Sequence, residues 1–91
     1  MKYTELVSEV SKKANVKQDT ADEVIKALRD TVVEVTTKEE EEEVRISGFG
    51  KFVQKHIKPK KNATVGKHTG LDIPGKRYPR FKCFDSAKKE Y

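Results

Sequence analysis

The sequence offers little that could cross-link it, anchor it in a bilayer or hold a metal. Cys83 is its single cysteine, so no internal disulfide can form and nothing demands an oxidising compartment. No stretch approaches the roughly 20 apolar residues of a membrane span. The opening Met1-Lys2-Tyr3-Thr4-Glu5-Leu6 also lacks the apolar run of a signal peptide. A soluble, non-secreted chain that makes no membrane contact is expected. His56 and His68 have no Cys/His companions at ligand spacing, so no metal or other cofactor is expected. Ser, His and Asp form no local nucleophile motif and the carboxylates crowd the first half, which leaves no catalytic residue to name and no small-molecule substrate. With 91 residues and only 34% of them apolar, the chain forms one domain. At this length it buries only about 60–65% of its unfolded surface, so its own core is marginal.

Acid is the scarcest thing in the second half. Residues 51–82 hold ten Lys or Arg against one acid, Asp72. The first fifty residues carry eight basic and twelve acidic side chains, a balance of −4; residues 51–91 carry twelve and three, a balance of +9. The net +5 therefore conceals a polarised molecule. Clustered cations on an extended element neutralise phosphates and release condensed counterions, so charge alone makes a nucleic acid the leading partner.

Three patterns succeed one another. Leu6, Val7, Val10 and Ala14 form an apolar stripe at helical spacing behind Thr4, an N-cap hydroxyl, and predict a helix over 4–14. Ala21, Val24, Ile25, Leu28, Val32 and Val35 predict a second over 18–36, with early acids suited to its positive end. Together they make a helical hairpin. The run Glu39 to Glu43 reads as a solvated helix end or loop. Val44 and Ile46 alternate with Arg45 and Ser47, and Gly48-Phe49-Gly50 separates them from Lys51-Phe52-Val53, which predicts two strands joined by a glycine turn. From Val53 to Pro79 the chain is extended yet scarcely hydrophobic, with Pro59 and Pro74 flanking a cluster of turn residues. A long two-stranded β-arm is the simplest reading. Arg80-Phe81-Lys82-Cys83-Phe84 returns to the core, and residues 85–91 are expected to form a short C-terminal helix capped by Asp85. The class is α+β, divided into a helical half (1–43), a three-stranded β-saddle with its arm (44–84) and that last helix (85–91).

These residues resemble the HU/IHF-type bacterial histone-like DNA-binding proteins, the DNABII family, which also has HU-like members in archaea, organelles and viruses. The resemblance covers nearly the whole chain. Its anchors are Thr4-Glu5-Leu6, Ile46-Ser47-Gly48-Phe49-Gly50-Lys51-Phe52, Ile73-Pro74 and Pro79-Arg80-Phe81-Lys82. It implies an intertwined homodimer with helices below, a β-saddle above and two arms that wrap duplex DNA through its minor groove. A body that has given about 25 residues to an arm is too small to bury both helical stripes alone, which independently favours pairing with a second copy. A cytoplasmic, nucleoid-associated location follows from the resemblance, or the DNA compartment of an organelle or virus.

The residues assigned to DNA follow from charge and resemblance together. Lys55, Lys58, Lys60, Lys61 and Lys67 are the arm's phosphate contacts; otherwise they are edge-strand lysines that prevent aggregation. Lys51, Lys76, Arg77, Arg80 and Lys82 flank the arm's base. Arg45 and Ser47 face away from the apolar side; Gly48 and Gly50 read chiefly as structural, and Gly48 also lets a backbone N–H approach a phosphate. Phe49, Phe52 and Phe81 read as core. The family's arm tip is commonly Arg-Asn-Pro-x-Thr-Gly with an intercalating proline, whereas this chain has Lys61-Asn62-Ala63-Thr64-Val65-Gly66. Matching the motif puts Ala63 at the wedge; keeping the spacing from Phe52 to Pro74 ungapped puts Val65 there, and Val65 is favoured because alanine is too small. Cys83-Phe84-Asp85 and the glutamate run also depart from the family pattern. The function expected is architectural: wrapping, bending and compacting double-stranded DNA with little sequence preference. The alternatives are a site-selective IHF-like factor or a basic-arm module for RNA or acidic protein.

Overall fold

The computed structural model describes residues 1–65 and 68–91, and side-chain surroundings outside residues 62–69 and 71. It divides into two compact units, Met1–Thr31 and Val32–Tyr91. Helix α1 spans Tyr3–Ala14 and helix α2 spans Gln18–Thr36, so both expected helices form. The expected cap at Thr4 does not. Lys2, in extended backbone (φ −81°, ψ 165°), is the N-cap and uses no side-chain hydrogen bond. Its carbonyl accepts the Leu6 N–H at 3.0 Å, which draws Thr4 into the first turn. Asn15 ends α1 in the left-handed region (φ 55°), a conformation its short polar side chain tolerates.

In the first unit Val7, Ser11 and Ala21 are buried, and the Tyr3 hydroxyl donates to Asp22 Oδ1. Much of the apolar stripe is open: Leu6, Leu28 and Val24 are 40%, 46% and 60% exposed, while Val10 and Ile25 are half-buried. Val32 and Thr36 are buried in the second unit, where Thr36 Oγ1 donates to the Val32 carbonyl at 2.7 Å as α2 ends.

Among the described residues five strands follow: β1 Val44–Ile46, β2 Gly50–Ile57, β3 Lys60–Val65, β4 His68–Ile73 and β5 Lys76–Cys83. All pairings are antiparallel. A three-stranded sheet of order β1-β2-β5 is followed by a two-stranded ladder, β3-β4. The arm is thus two ladders in series. Lys58-Pro59 and Pro74-Gly75 interrupt both strands together, where Pro59 and Pro74 have no N–H to give to pairing. Pro79 is accommodated within β5 because β5 is an edge strand.

The C-terminal helix expected over 85–91 is a single 3-10 turn, Asp85–Ala87, with Phe84 rather than Asp85 as N-cap. Lys88 returns to extended backbone (φ −91°, ψ 141°), and a segment this short gains too few hydrogen bonds to sustain a helix. Phe84 is fixed instead by its N–H, which donates to the Phe49 carbonyl at 2.9 Å.

Candidate nucleic-acid interface

Register decides which side chains share a face, because residues directly opposite in an antiparallel pair point the same way. Arg45 opposes Lys51, and across β2 Lys51 opposes Lys82, Val53 opposes Arg80, Lys55 opposes Tyr78 and Ile57 opposes Lys76. One face of the sheet therefore gathers Arg45, Lys51, Lys55, Lys76, Arg80 and Lys82. The other carries Val44, Phe52 and Phe81, followed toward the arm by Gln54 with Pro79 and His56 with Arg77. Arg77 is thus set apart from the basic residues it was grouped with. It lines a cavity of about 440 Å³ at the arm's base together with Thr37, His56, Lys58, Pro59 and Lys76.

The apolar face holds an aromatic cluster, with ring centroids of Phe49 and Phe52 at 4.7 Å and 5.0 Å from Phe81. Reading these rings as core holds for their mutual packing only. Phe49 remains 48% and Phe81 37% exposed, so one side of the cluster is uncovered in the single chain.

Two glycines shape the turn that feeds β2. Gly48 adopts φ +75°, which L side chains rarely accept, with open space around it. Gly50 is buried against β5, where a Cβ would lie 2.6 Å from the Phe81 ring. Ser47 is exposed in the same turn. Farther out, Lys55, Lys58, Lys60 and Lys61 are all exposed. The β3-β4 register runs Lys60 to Ile73, Ala63 to Leu71 and Val65 to His68, with irregularities between these pairs. Lys67 lies outside the described residues, as do the side-chain surroundings of Asn62 and Val65.

One partner of this face was not foreseen. Glu43 Oε1 accepts from Arg45 Nη1 at 2.9 Å while Glu43 Oε2 lies 3.3 Å from Lys51 Nζ. The Lys51 ammonium chiefly, with Arg45 adding to it, holds the Glu43 carboxyl below the usual carboxylate range against a smaller desolvation cost. The Arg45 guanidinium also stands 5.3 Å from the centre of the Phe84 ring, within cation–π range. The sequence did carry a signal: like charges directly opposite across a pair are unfavourable, so Arg45 facing Lys51 calls for a counter-charge. It required the register to be read. The start of the acidic segment is tied to β2 as well, since Gln54 Nε2 donates to the Lys38 carbonyl, while His56 Nε2 meets Gln54 Oε1 at 2.6 Å.

Among the described residues no group of three or more His, Cys, Asp or Glu could hold a metal ion, and no helix is long and apolar enough to cross a membrane.

Two helices followed by an antiparallel sheet with one cationic face, extended by a two-stranded arm, define an α+β fold of nucleic-acid-binding type. The chain belongs to the bacterial DNA-binding protein family, the family of HU, whose model it matches over residues 1–91. It is 31% identical over 83 residues to the DNA-binding protein HU of a Nostoc species, covering 91% of this chain and 86% of that one. Its fold is similar to that in an Anabaena HU–DNA cocrystal structure, with a TM-score of 0.71 at 29% identity, covering 94% of this chain and 91% of that chain.

Proposed function

We propose that this protein is an architectural DNA-binding protein that acts as a homodimer, wrapping and bending double-stranded DNA with little sequence preference as part of a nucleoid. The single observation that carries the reading is the register of β1, β2 and β5, which gathers six cations on one face of the sheet. Arg45, Ser47, the Gly48 backbone, Lys51, Lys55, Lys76, Arg80 and Lys82 form the bed for the duplex. Lys58, Lys60, Lys61, Asn62 and Lys67 follow the phosphates along the arm, with Val65 at its end; Arg77 reaches the duplex only from the cavity side. Lysines on phosphates position a duplex without reading base edges, which accounts for low sequence preference.

The homodimer is supported by what the single chain leaves uncovered. Leu6, Val24 and Leu28 on the helices and Phe49 and Phe81 on the sheet are more than a third exposed, a large apolar area for an isolated chain. A second copy covers such surfaces and supplies the second arm that a wrap requires. Likeness to the HU–DNA cocrystal structure supports duplex DNA over RNA or acidic protein as the partner. The test is a mobility-shift series on linear duplex, nicked or four-way DNA and RNA under rising salt. Binding of all the DNA forms, with little dependence on sequence and a steep loss with salt, is expected. Preference for RNA, or for one DNA sequence, would overturn the reading.

A further inference from the structure

We propose that Glu43 is a built-in competitor for phosphate, which occupies Arg45 and Lys51 when DNA is absent and thereby sets how tightly the chain holds a duplex. The inference rests on the DNA-binding reading above. Its physical basis is the division of the carboxylate between two cations: Oε1 engages Arg45 at 2.9 Å and Oε2 engages Lys51 at 3.3 Å. A DNA phosphate offers the same cations the same thing, two anionic oxygens at short range. Both cannot be served at once by the same donors without loss.

Three further features make the contact a competitor rather than a chance ion pair. Arg45 and Lys51 face each other across the β1-β2 register, so their mutual repulsion holds a standing demand for an anion between them. The acidic segment is fastened to β2 by Gln54, which donates to the Lys38 carbonyl, and Glu43 lies two residues from Arg45 in the chain, which keeps the carboxylate at high effective concentration. Yet the pair is open to exchange, for the Arg45 side chain is 62% and that of Glu43 38% exposed. Among the described residues Glu39, Glu40 and Glu42 pair with no cation, so the run supplies controls of identical charge.

The test compares E43Q with E42Q, each removing one negative charge, by fluorescence anisotropy on one linear duplex across a salt series, with thermal melts alongside. E43Q is expected to bind about two- to fivefold tighter than the wild type at low salt, the scale of one exposed ion pair released. Its slope of log K against log salt is expected to steepen by about one. E42Q is expected to stay close to the wild type. E43D keeps the charge but shortens the stem, so it is expected to recover most of the gain; it carries the same test should E43Q not fold. Equal affinities for E43Q and E42Q, or a lower melting temperature in E43Q without tighter binding, would overturn the proposal and leave Glu43 a structural counter-charge. Failure of the wild-type chain to bind duplex at all would overturn the DNA-binding reading, and this inference with it.

Discussion

Gly50 on β2 packs its backbone directly against the Lys82 carbonyl of β5, so that a Cβ there would overlap that oxygen and press on the Phe81 ring. Strand pairing, the aromatic cluster and the turn from β1 all meet at this point. Because the obstacle is backbone rather than a flexible side chain, Gly50→Ala is expected to destabilise the fold by about 1–3 kcal/mol. At Gly48 the constraint is conformational, with φ +75° and open space. Gly48→Ala is expected to lose about 1 kcal/mol, and Gly48→Asn less, since asparagine tolerates the left-handed region. Thermal melts of the three variants check the order.

Asp22 links α1 to α2 in a way that depends on pH. The Tyr3 hydroxyl first, then Lys26 at 2.9 Å, hold the Asp22 carboxyl below its usual range. A lowered carboxylate contributes stability that is present above the unfolded value, about 3.9, and is lost as pH falls through the lower folded value. Asp22→Asn is therefore expected to melt below the wild type at neutral pH, with the two curves converging in acid. Tyr3 has the opposite sign: its hydrogen bond to Asp22 raises its pKa. That contribution is present below about 10 and is lost as pH rises through the raised folded value. Melting temperature against pH, for the wild type and for Asp22→Asn, tests the two limbs.

Much of this fold was legible because its periodicities are local. The spacing of Ala21, Val24, Ile25, Leu28 and Val32 marked α2, and the alternation around Gly48-Phe49-Gly50 marked the strand pair. The prolines at 59 and 74 stand where both strands of the arm break. What was hidden depends on partners far along the chain. Arg77 looked like its neighbours Arg80 and Lys82, but a strand alternates, and only its pairing with His56 reveals the other face. Residues 85–91 carried a cap-like Asp85, while the geometry there is fixed by Phe84 bonding to the Phe49 carbonyl. The glutamate run read as a solvated loop, and only the Arg45–Lys51 register shows that its last member is held between two cations.

Lys60 and Lys61 lie exposed on β3, beyond the proline break and away from the sheet that unites β1, β2 and β5. Lys60→Ala with Lys61→Ala is expected to leave the melting temperature and the oligomeric state unchanged. The salt slope of duplex binding is expected to become shallower by about 0.9 for each phosphate that the variant no longer neutralises. Sedimentation and a salt titration of affinity separate these outcomes. Loss of the dimer together with DNA binding would make the lysines structural.

Val65 and His68 form the last registered pair of the arm, two residues beyond Ala63. Val65 remains the expected wedge, on the spacing from Phe52 to Pro74, and its side-chain surroundings lie outside the described residues. Val65→Ala is expected to reduce the bend measured by energy transfer between duplex ends while leaving most phosphate-driven affinity in place. Ala63→Pro is the converse test, and an increase in bend there would move the wedge to Ala63. If neither changes the bend, the tip does not kink DNA.

The most direct measurement is the end-to-end distance of a dye-labelled linear duplex of about 30 base pairs, followed by energy transfer as the wild-type protein is titrated. The expected result is a rise in transfer that saturates at two chains per duplex and collapses as salt is raised. Saturation at one chain per duplex, or tight binding with no change in end-to-end distance, would contradict a dimer that bends DNA across its cationic face.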